Sequence, residues 1–399
     1  QKIIRDMTTT PKNNRKIASV SWGDHLVFGE GDGRLSTPDA LQRRMRCWHD
    51  EMGATALHWR QIRSTMSGHF FAEAGRKYPL EKIKNDLGWD DFEVVPKIAH
   101  DNGMRANLYV SLFDEGWPLP SREEQEVSYH NKMHGQHTSW QSTFSHDHPE
   151  YTVMDQSGSK RQWGVLCLAY EQVRKYFVKL YLDLLDGYDF DGLFVCFRSQ
   201  SKPAEFADQF NFNEPVRNDF ENIYGKDILK DGFDLQDWRD LVGKYITDFL
   251  RMLKKELRRK NISLSVGLPR GDVIGPPLGN TTLEWRKWVR DGLVDELVIN
   301  QSSCQCPSMW HRLWPMHSGS GYKQNYLENY NMPPLREHLR ETYLPVVSKS
   351  TARLYVARQW SQSSEEDSEL LSEPSVSGLV FSSFRFDNPG PLACNNWVV

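Results

Sequence analysis

Eight short runs of aliphatic, aromatic and β-branched residues recur along the chain, each followed by a helix-sized interval. This alternation is the strongest restriction on the fold. Parallel strands can be joined only by crossovers, and crossovers cover the outer face of the sheet they connect. The runs are KIASVSW (16–22), ATALHWR (54–60), RANLYVSLF (105–113), DGLFVCF (191–197), ISLSVGL (262–268), ELVINQ (296–301), ARLYVARQW (352–360) and GLVFSSFRF (378–386). DGLFVCF is nearly unbroken in its apolarity, as a strand covered on both faces must be.

The intervals carry helical signals. Residues 36–53 read as a helix capped by Ser36 or Thr37, with Pro38 in its first turn and Leu41, Met45 and Trp48 or Met52 on one stripe. Gly53 closes it, and Gly103 closes a second helix over 89–101. Most of 165–189 reads as a helix with Val173, Phe177, Leu180 and Leu184 on one face. Further helices are expected at 238–259, 283–292 and 335–349, and a short one at SEEDSELL. The expected fold class is α/β, a (β/α)8 TIM barrel with long insertions after strands 3, 4 and 6, near 114–163, 199–233 and 303–334. Residues 1–15 read as an N-terminal tail and 16–399 as a single catalytic barrel. An open doubly wound sheet is the competitor; GEGDGR (29–34) lacks the spacing of the dinucleotide-binding glycine loop it would usually carry.

Composition narrows the function classes. With 49 Lys plus Arg against 53 Asp plus Glu, the net charge of -4 gives no global footprint for a nucleic-acid partner. No run of 18 apolar residues exists, so no transmembrane helix is expected. Six Cys in 399 residues are too few for a disulfide-built scaffold. The sequence starts at Gln1 without an apolar leader, an appearance that a processed secretory signal would leave and that a start inside a longer chain would leave equally; a secreted, periplasmic or cell-surface location is the expectation, which the family resemblance given below implies. There is no P-loop, nucleophile elbow or H-E-x-x-H. His130, His134, His137, His146 and His148 crowd the 114–163 insertion without zinc-ligand spacing, and no metal or cofactor is expected.

In a barrel of this kind the last residues of all eight strands meet at one rim. That rim would collect Trp22 and His25, His58 and Arg60, Asp114, Glu115 and Trp117, Arg198, Arg270 and Asp272, Asn300, Arg358 and Trp360, and Arg385 and Asp387. Indole faces suit the C–H faces of a sugar ring, and guanidinium groups hold carboxylates or sulfates by paired hydrogen bonds. Cleaving a glycosidic bond normally needs two carboxyl groups, one to protonate the leaving oxygen and one to act as nucleophile or as base for water. Asp272 with Glu115 is the first choice, followed by Asp114 and Asp387; Glu205, Asp208 and Glu214 in the next insertion could reach over the rim. Cys196 near His58 or His25 is a further option for a nucleophile, against the plainer reading of a structural thiol.

Two segments carry a family resemblance. PEYTVMDQSGS (149–159) and AYEQVRKYFVKLYLDLLDGYDFDGLFVCFR (169–198) resemble the family-10-like glycosyl hydrolase group of bacterial proteins, with the resemblance running over roughly 16–387. It implies a (β/α)8 barrel and carbohydrate hydrolysis, usually outside the cytoplasm. Members often carry a carboxylate late in strand four; here Cys196 stands there, with Arg198 after it. The expectation is a glycoside hydrolase acting on an oligosaccharide or polysaccharide, possibly anionic. A lyase on a uronate-containing glycan and a non-catalytic carbohydrate-binding barrel are the alternatives.

Overall fold

The computed structural model describes residues 15–20, 37–61, 69–72, 89–116, 118, 138–197, 208–274, 281–301, 333–358 and 364–382. Eight parallel strands close into a barrel in sequence order. They are β1 (Arg15–Val20), β2 (Ala54–Arg60), β3 (Arg105–Ser111), β4 (Gly192–Cys196), β5 (Ser263–Gly267), β6 (Glu296–Ile299), β7 (Arg353–Arg358) and β8 (Val376–Ser382). β8 pairs back onto β1, with Ile17 opposite Val380, so the sheet has no free edge. The expected barrel is therefore the one that forms, and the open sheet is excluded.

The crossovers form where the periodicity placed them. α1 (Pro38–Asp50) begins at Thr37, whose hydroxyl accepts the Ala40 amide at 3.1 Å, and buries Leu41, Met45 and Trp48. α2 (Asp91–Asp101) is capped by Asp90. α3 (Glu171–Leu185) takes up most of the 165–189 run, as expected, while Val165 and Leu166 end a strand, Arg161–Leu166, paired antiparallel with Thr152–Met154. α4 (Leu235–Arg259) and α5 (Trp285–Arg290) follow. α6 runs as Leu335–His338, a π-helical turn over Leu339–Tyr343 and Leu344–Val347, and α7 is Ser364–Leu371.

The 114–163 insertion is not a plain loop. His69–Ala72, from the connection after β2, pairs antiparallel with Thr138–Gln141, and a short helix spans Thr143–Asp147. The 199–233 insertion contains a helix over Glu214–Tyr224, ended by Gly225 in the left-handed region at φ 68°. The 303–334 insertion lies outside the described residues apart from Pro333 and Pro334, and so does the tail except for Arg15, which opens β1. The YDFDG turn satisfies amides as its chemistry demands: Asp191 Oδ2 accepts Ala106 N at 2.8 Å.

Two apolar shells hold the molecule together. The outer one lies between strands and helices and includes Trp48, Trp59, Trp238, Trp285 and Trp288. The inner one lines the barrel with Ile17, Ala56, Tyr109, Phe194, Cys196, Val298, Tyr355, Ala357 and Val380. Alternation along each strand then assigns the remaining inward positions. Gly243 lets α4 lie directly on the Thr281–Thr282 strand; a Cβ there would press on the Thr282 carbonyl. Gly243→Ala would gain about 1 kcal/mol of helix propensity. Overpacking against an immobile backbone costs ~1–3 kcal/mol, so a lower urea midpoint is expected.

Candidate active site at the mouth of the barrel

Inward alternation from Ala56 carries His58 and then Arg60 towards the C-terminal rim of β2. Arg60 is buried, and its Nη2 donates to Asp114 Oδ2 at 2.9 Å, tying the end of β2 to the residue just beyond β3. The guanidinium carbon sits 5.2 Å from the centre of the Tyr109 ring, a cation–π contact inside the wall. Its other terminal nitrogen, Nη1, is buried with no hydrogen-bond partner among the described residues. A charged donor left unsatisfied is expensive, and the cost falls at the end of β2.

Glu115 is held from several sides. Its amide donates to Gly164 O and its carbonyl accepts Ser142 N, both at 3.0 Å. Tyr176 OH from α3 donates to Oε2 at 2.9 Å, and the Ser142 hydroxyl bonds the same carboxyl. Burial is the chief force on its acidity and pushes it up to about 7; the Asp114 charge adds to this, while the Ser142 and Tyr176 hydrogen bonds and Arg60 oppose it. The carboxyl therefore carries a proton at mildly acidic pH and exchanges it near neutrality. Tyr176 is fixed in turn by stacking on Phe144, ring centres 3.9 Å apart. Sequence reasoning missed Ser142, Phe144 and Tyr176. Tyr176 reads there as one more aromatic on an amphipathic helix, and Ser142 lies in a stretch read as loop.

The structure groups Glu115 with Asp114 and Arg60, and it groups Asp272 elsewhere. Asp272 accepts Trp285 Nε1 at 2.8 Å and Arg286 Nη1 at 2.6 Å, and its side chain is 51% exposed. It staples the connection after β5 to α5. Arg270 donates to Pro333 O at 2.9 Å. Asn300, at φ 64°, donates to Ala357 O at 2.9 Å. Arg358 follows inward Ala357 and so faces the helix layer, where it pairs with Asp367 and, at 2.6 Å, with Glu366 on α7. Asp208 is paired with Arg239 at 3.0 Å. Trp22, His25, Trp117, Arg198, Trp360, Arg385 and Asp387 lie outside the described residues, as does Glu205.

Cys196 faces inward and its thiol points at Gln301 Oε1, 3.6 Å away. His58 lies beneath it in the barrel and stacks on Phe194 at 4.1 Å. Burial, with a smaller push from Arg105, takes the imidazole down to about 3 against the pull of Glu296, so it is neutral at physiological pH. No hydrogen bond joins His58 to Cys196 among the described residues. No group of three or more His, Cys, Asp or Glu among the described residues could hold a metal ion. No helix of the described residues is long and apolar enough to cross a membrane.

No family model matches the sequence, and neither does any curated protein. Among solved structures, the chain is similar to the PgaB (BpsB) glycoside hydrolase domain from Bordetella bronchiseptica, with 11% identity and a TM-score of 0.47 over 94% of this chain and 96% of that one. It is also similar to a noncanonic maltogenic alpha-amylase, AmyB, from Thermotoga neapolitana, with 12% identity and a TM-score of 0.46 over 96% of this chain and 70% of that one. A third likeness is the C-terminal domain of a chitinase-like protein from Desulfitobacterium hafniense DCB-2, at 10% identity and a TM-score of 0.35. That match takes in 72% of this chain and spans about half, 54%, of the other.

Proposed function

We propose that this barrel is a glycoside hydrolase. The observation that carries the reading is the Arg60–Asp114–Glu115 constellation at the C-terminal rim. One carboxylate is paired with a buried guanidinium at 2.9 Å, and its neighbour is pushed up to about 7. A buried carboxyl pushed up to about 7 beside a second carboxyl that is ion-paired with a guanidinium suits the cleavage of an acetal, which uses two carboxyl groups in different surroundings. Glu115 supplies a proton to the leaving oxygen; Asp114, oriented by Arg60, faces the positive charge that develops on the sugar ring. The resemblance of 149–159 and 169–198 to the family-10-like glycosyl hydrolase group is in keeping with this reading; with it goes the proposal that a single catalytic barrel acts outside the cytoplasm, where polysaccharides are met.

The test is release of reducing sugar from neutral, uronate-containing and sulfated polysaccharides. Glu115→Gln and Asp114→Asn are each expected to lower turnover on the order of 10²-fold, the lower end of what acid–base groups contribute. Full activity in both variants would reject the assignment.

A second reading, a non-catalytic carbohydrate-binding barrel, is favoured by one feature. Asp114, Glu115 and Asp272 each already have a protein partner, in Arg60, Tyr176 and Arg286. Glycan binding in equilibrium dialysis without sugar release from any substrate in the panel would select it.

A further inference from the structure

Beneath the mouth, the inner face of the barrel is polar where a packed apolar layer would be ordinary. His58, Asn107, Ser265 and Glu296 all point inward and are all but inaccessible to solvent. Glu296 Oε1 accepts Arg105 Nη2 at 2.6 Å and Arg353 Nη2 at 2.9 Å, an ion cluster at the N-terminal end of the barrel. The other Glu296 oxygen, both ring nitrogens of His58, both amide atoms of Asn107 and the Ser265 hydroxyl have no hydrogen-bond partner among the described residues. These are six polar atoms in one interior.

They are neighbours by register. His58 lies opposite Asn107 across β2 and β3, and Ser265 lies opposite Glu296 across β5 and β6. The charges of Glu296 and Arg105 both act on His58. Gly192 on β4 makes room for the Asn107 side chain: a Cβ there would come within 2.6 Å of Asn107 Oδ1 and collide with Ser263 Oγ. Phe194 covers the His58 ring, and Tyr109 stands edge-on to Phe194 at 5.0 Å, so an aromatic layer separates this interior from the mouth.

We propose that the barrel encloses a sealed site for a cluster of about two or three ordered water molecules, bridging His58, Asn107, Ser265 and Glu296. A buried polar atom left unpaired costs ~1–3 kcal/mol, so six in one place would rival the whole margin of an ordinary fold, about 5–15 kcal/mol. Water fits the chemistry better than an ion. The free atoms are a mixture of donors and acceptors, and a neutral imidazole offers one of each. An anion would meet the unpaired Glu296 oxygen. A cation would meet the excess positive charge of Arg105 and Arg353 over Glu296. The waters would also extend the Glu296 network across the barrel, which explains how a polar interior coexists with a closed, rigid sheet.

The test is a high-resolution crystal structure of the full chain, with a parallel bromide soak, and water-oxygen relaxation dispersion in solution to count long-lived internal waters. Density for at least two waters within about 3.2 Å of Asn107, Ser265 and Glu296 is expected. Ser265→Ala, the mildest change in the cluster, should remove at least one slowly exchanging water from the count. A dry interior with His58 bonded directly to Glu296, or an anomalous bromide peak at the site, would overturn the proposal. So would an unchanged count in a folded Ser265→Ala protein.

Discussion

Glu296→Ala is expected to destabilise the protein by about 3–5 kcal/mol, the range for removing one partner of a buried ion pair. Glu296 is fully buried at the start of β6, between Arg105 at the start of β3 and Arg353 at the start of β7. Burial pushes its carboxyl up, but the two guanidinium groups outweigh burial and hold it below the ordinary carboxylate range. Without it, Arg105 is left as an uncompensated charge with a side chain only 12% exposed, whereas Arg353, at 37%, can turn towards water. Most of the loss therefore comes from Arg105. A urea titration should show a lower midpoint at unchanged slope, and Arg105→Met combined with Glu296→Leu should recover most of the loss. A loss below about 1 kcal/mol in Glu296→Ala would mean that water reaches Arg105 in the folded state.

The second large effect is in the pH dependence of stability, where two buried groups oppose each other. His58 moves from 6.5 down to about 3 on folding. Below 6.5 the unfolded chain takes up a proton that the folded one refuses, so the His58 contribution falls as pH drops from about 6.5 towards 3. Glu115 moves from 4.5 up to about 7. The folded chain keeps a proton that the unfolded one releases, so its contribution falls as pH rises from about 4.5 towards 7.

Between about pH 4.5 and 6.5 each state holds one of the two protons, and the slopes cancel. The two contributions should therefore cancel across that window and leave the slope of His338, whose imidazole is also held below its ordinary value by burial and Arg270, so that stability falls as pH drops below about 6.5. Glu115→Gln should expose the His58 slope, with stability rising with pH by up to ~1.4 kcal/mol per unit, about 3 kcal/mol over the window. His58→Gln should expose the opposite slope. Glu296, Asp191 and Glu373 have carboxyls held below their ordinary range, so they lose their contributions as pH falls through still lower values. Urea midpoints at about pH 4.5, 5.5 and 6.5 measure the two slopes, and midpoints at lower pH measure the loss from the three carboxylates. Parallel profiles for the two variants would show that neither group keeps its buried protonation state.

The strands and most crossovers were legible because their signals are local. Ala54–Arg60 and Ser364–Leu371 have the bounds their residues suggested, and Thr37 caps α1 as its hydroxyl should. Reading failed where an apolar run had a distant partner. Most of 165–189 is helix as read, but Val165 and Leu166 at its start end a strand whose pairing with Thr152–Met154 leaves no mark in its own composition. The pairing of His69–Ala72 with Thr138–Gln141 spans two separate connections and was equally invisible.

For the candidate site, strand-end placement found Arg60, Asp114 and Glu115, but placement alone does not tell inward from outward. Ala357 faces the barrel axis, so Arg358 one residue later faces α7 and the carboxylates there. By itself the sequence determined eight parallel strands, their crossovers and which connections grew long, since hydrophobic period and capping are written within a few residues of where they act. Only the tertiary structure decided which rim residues meet and that the Glu115 carboxyl is pushed up by burial. Those outcomes depend on burial and on charges brought from elsewhere in the chain: Tyr176 and Ser142 to Glu115, Arg60 to Asp114, Arg286 to Asp272.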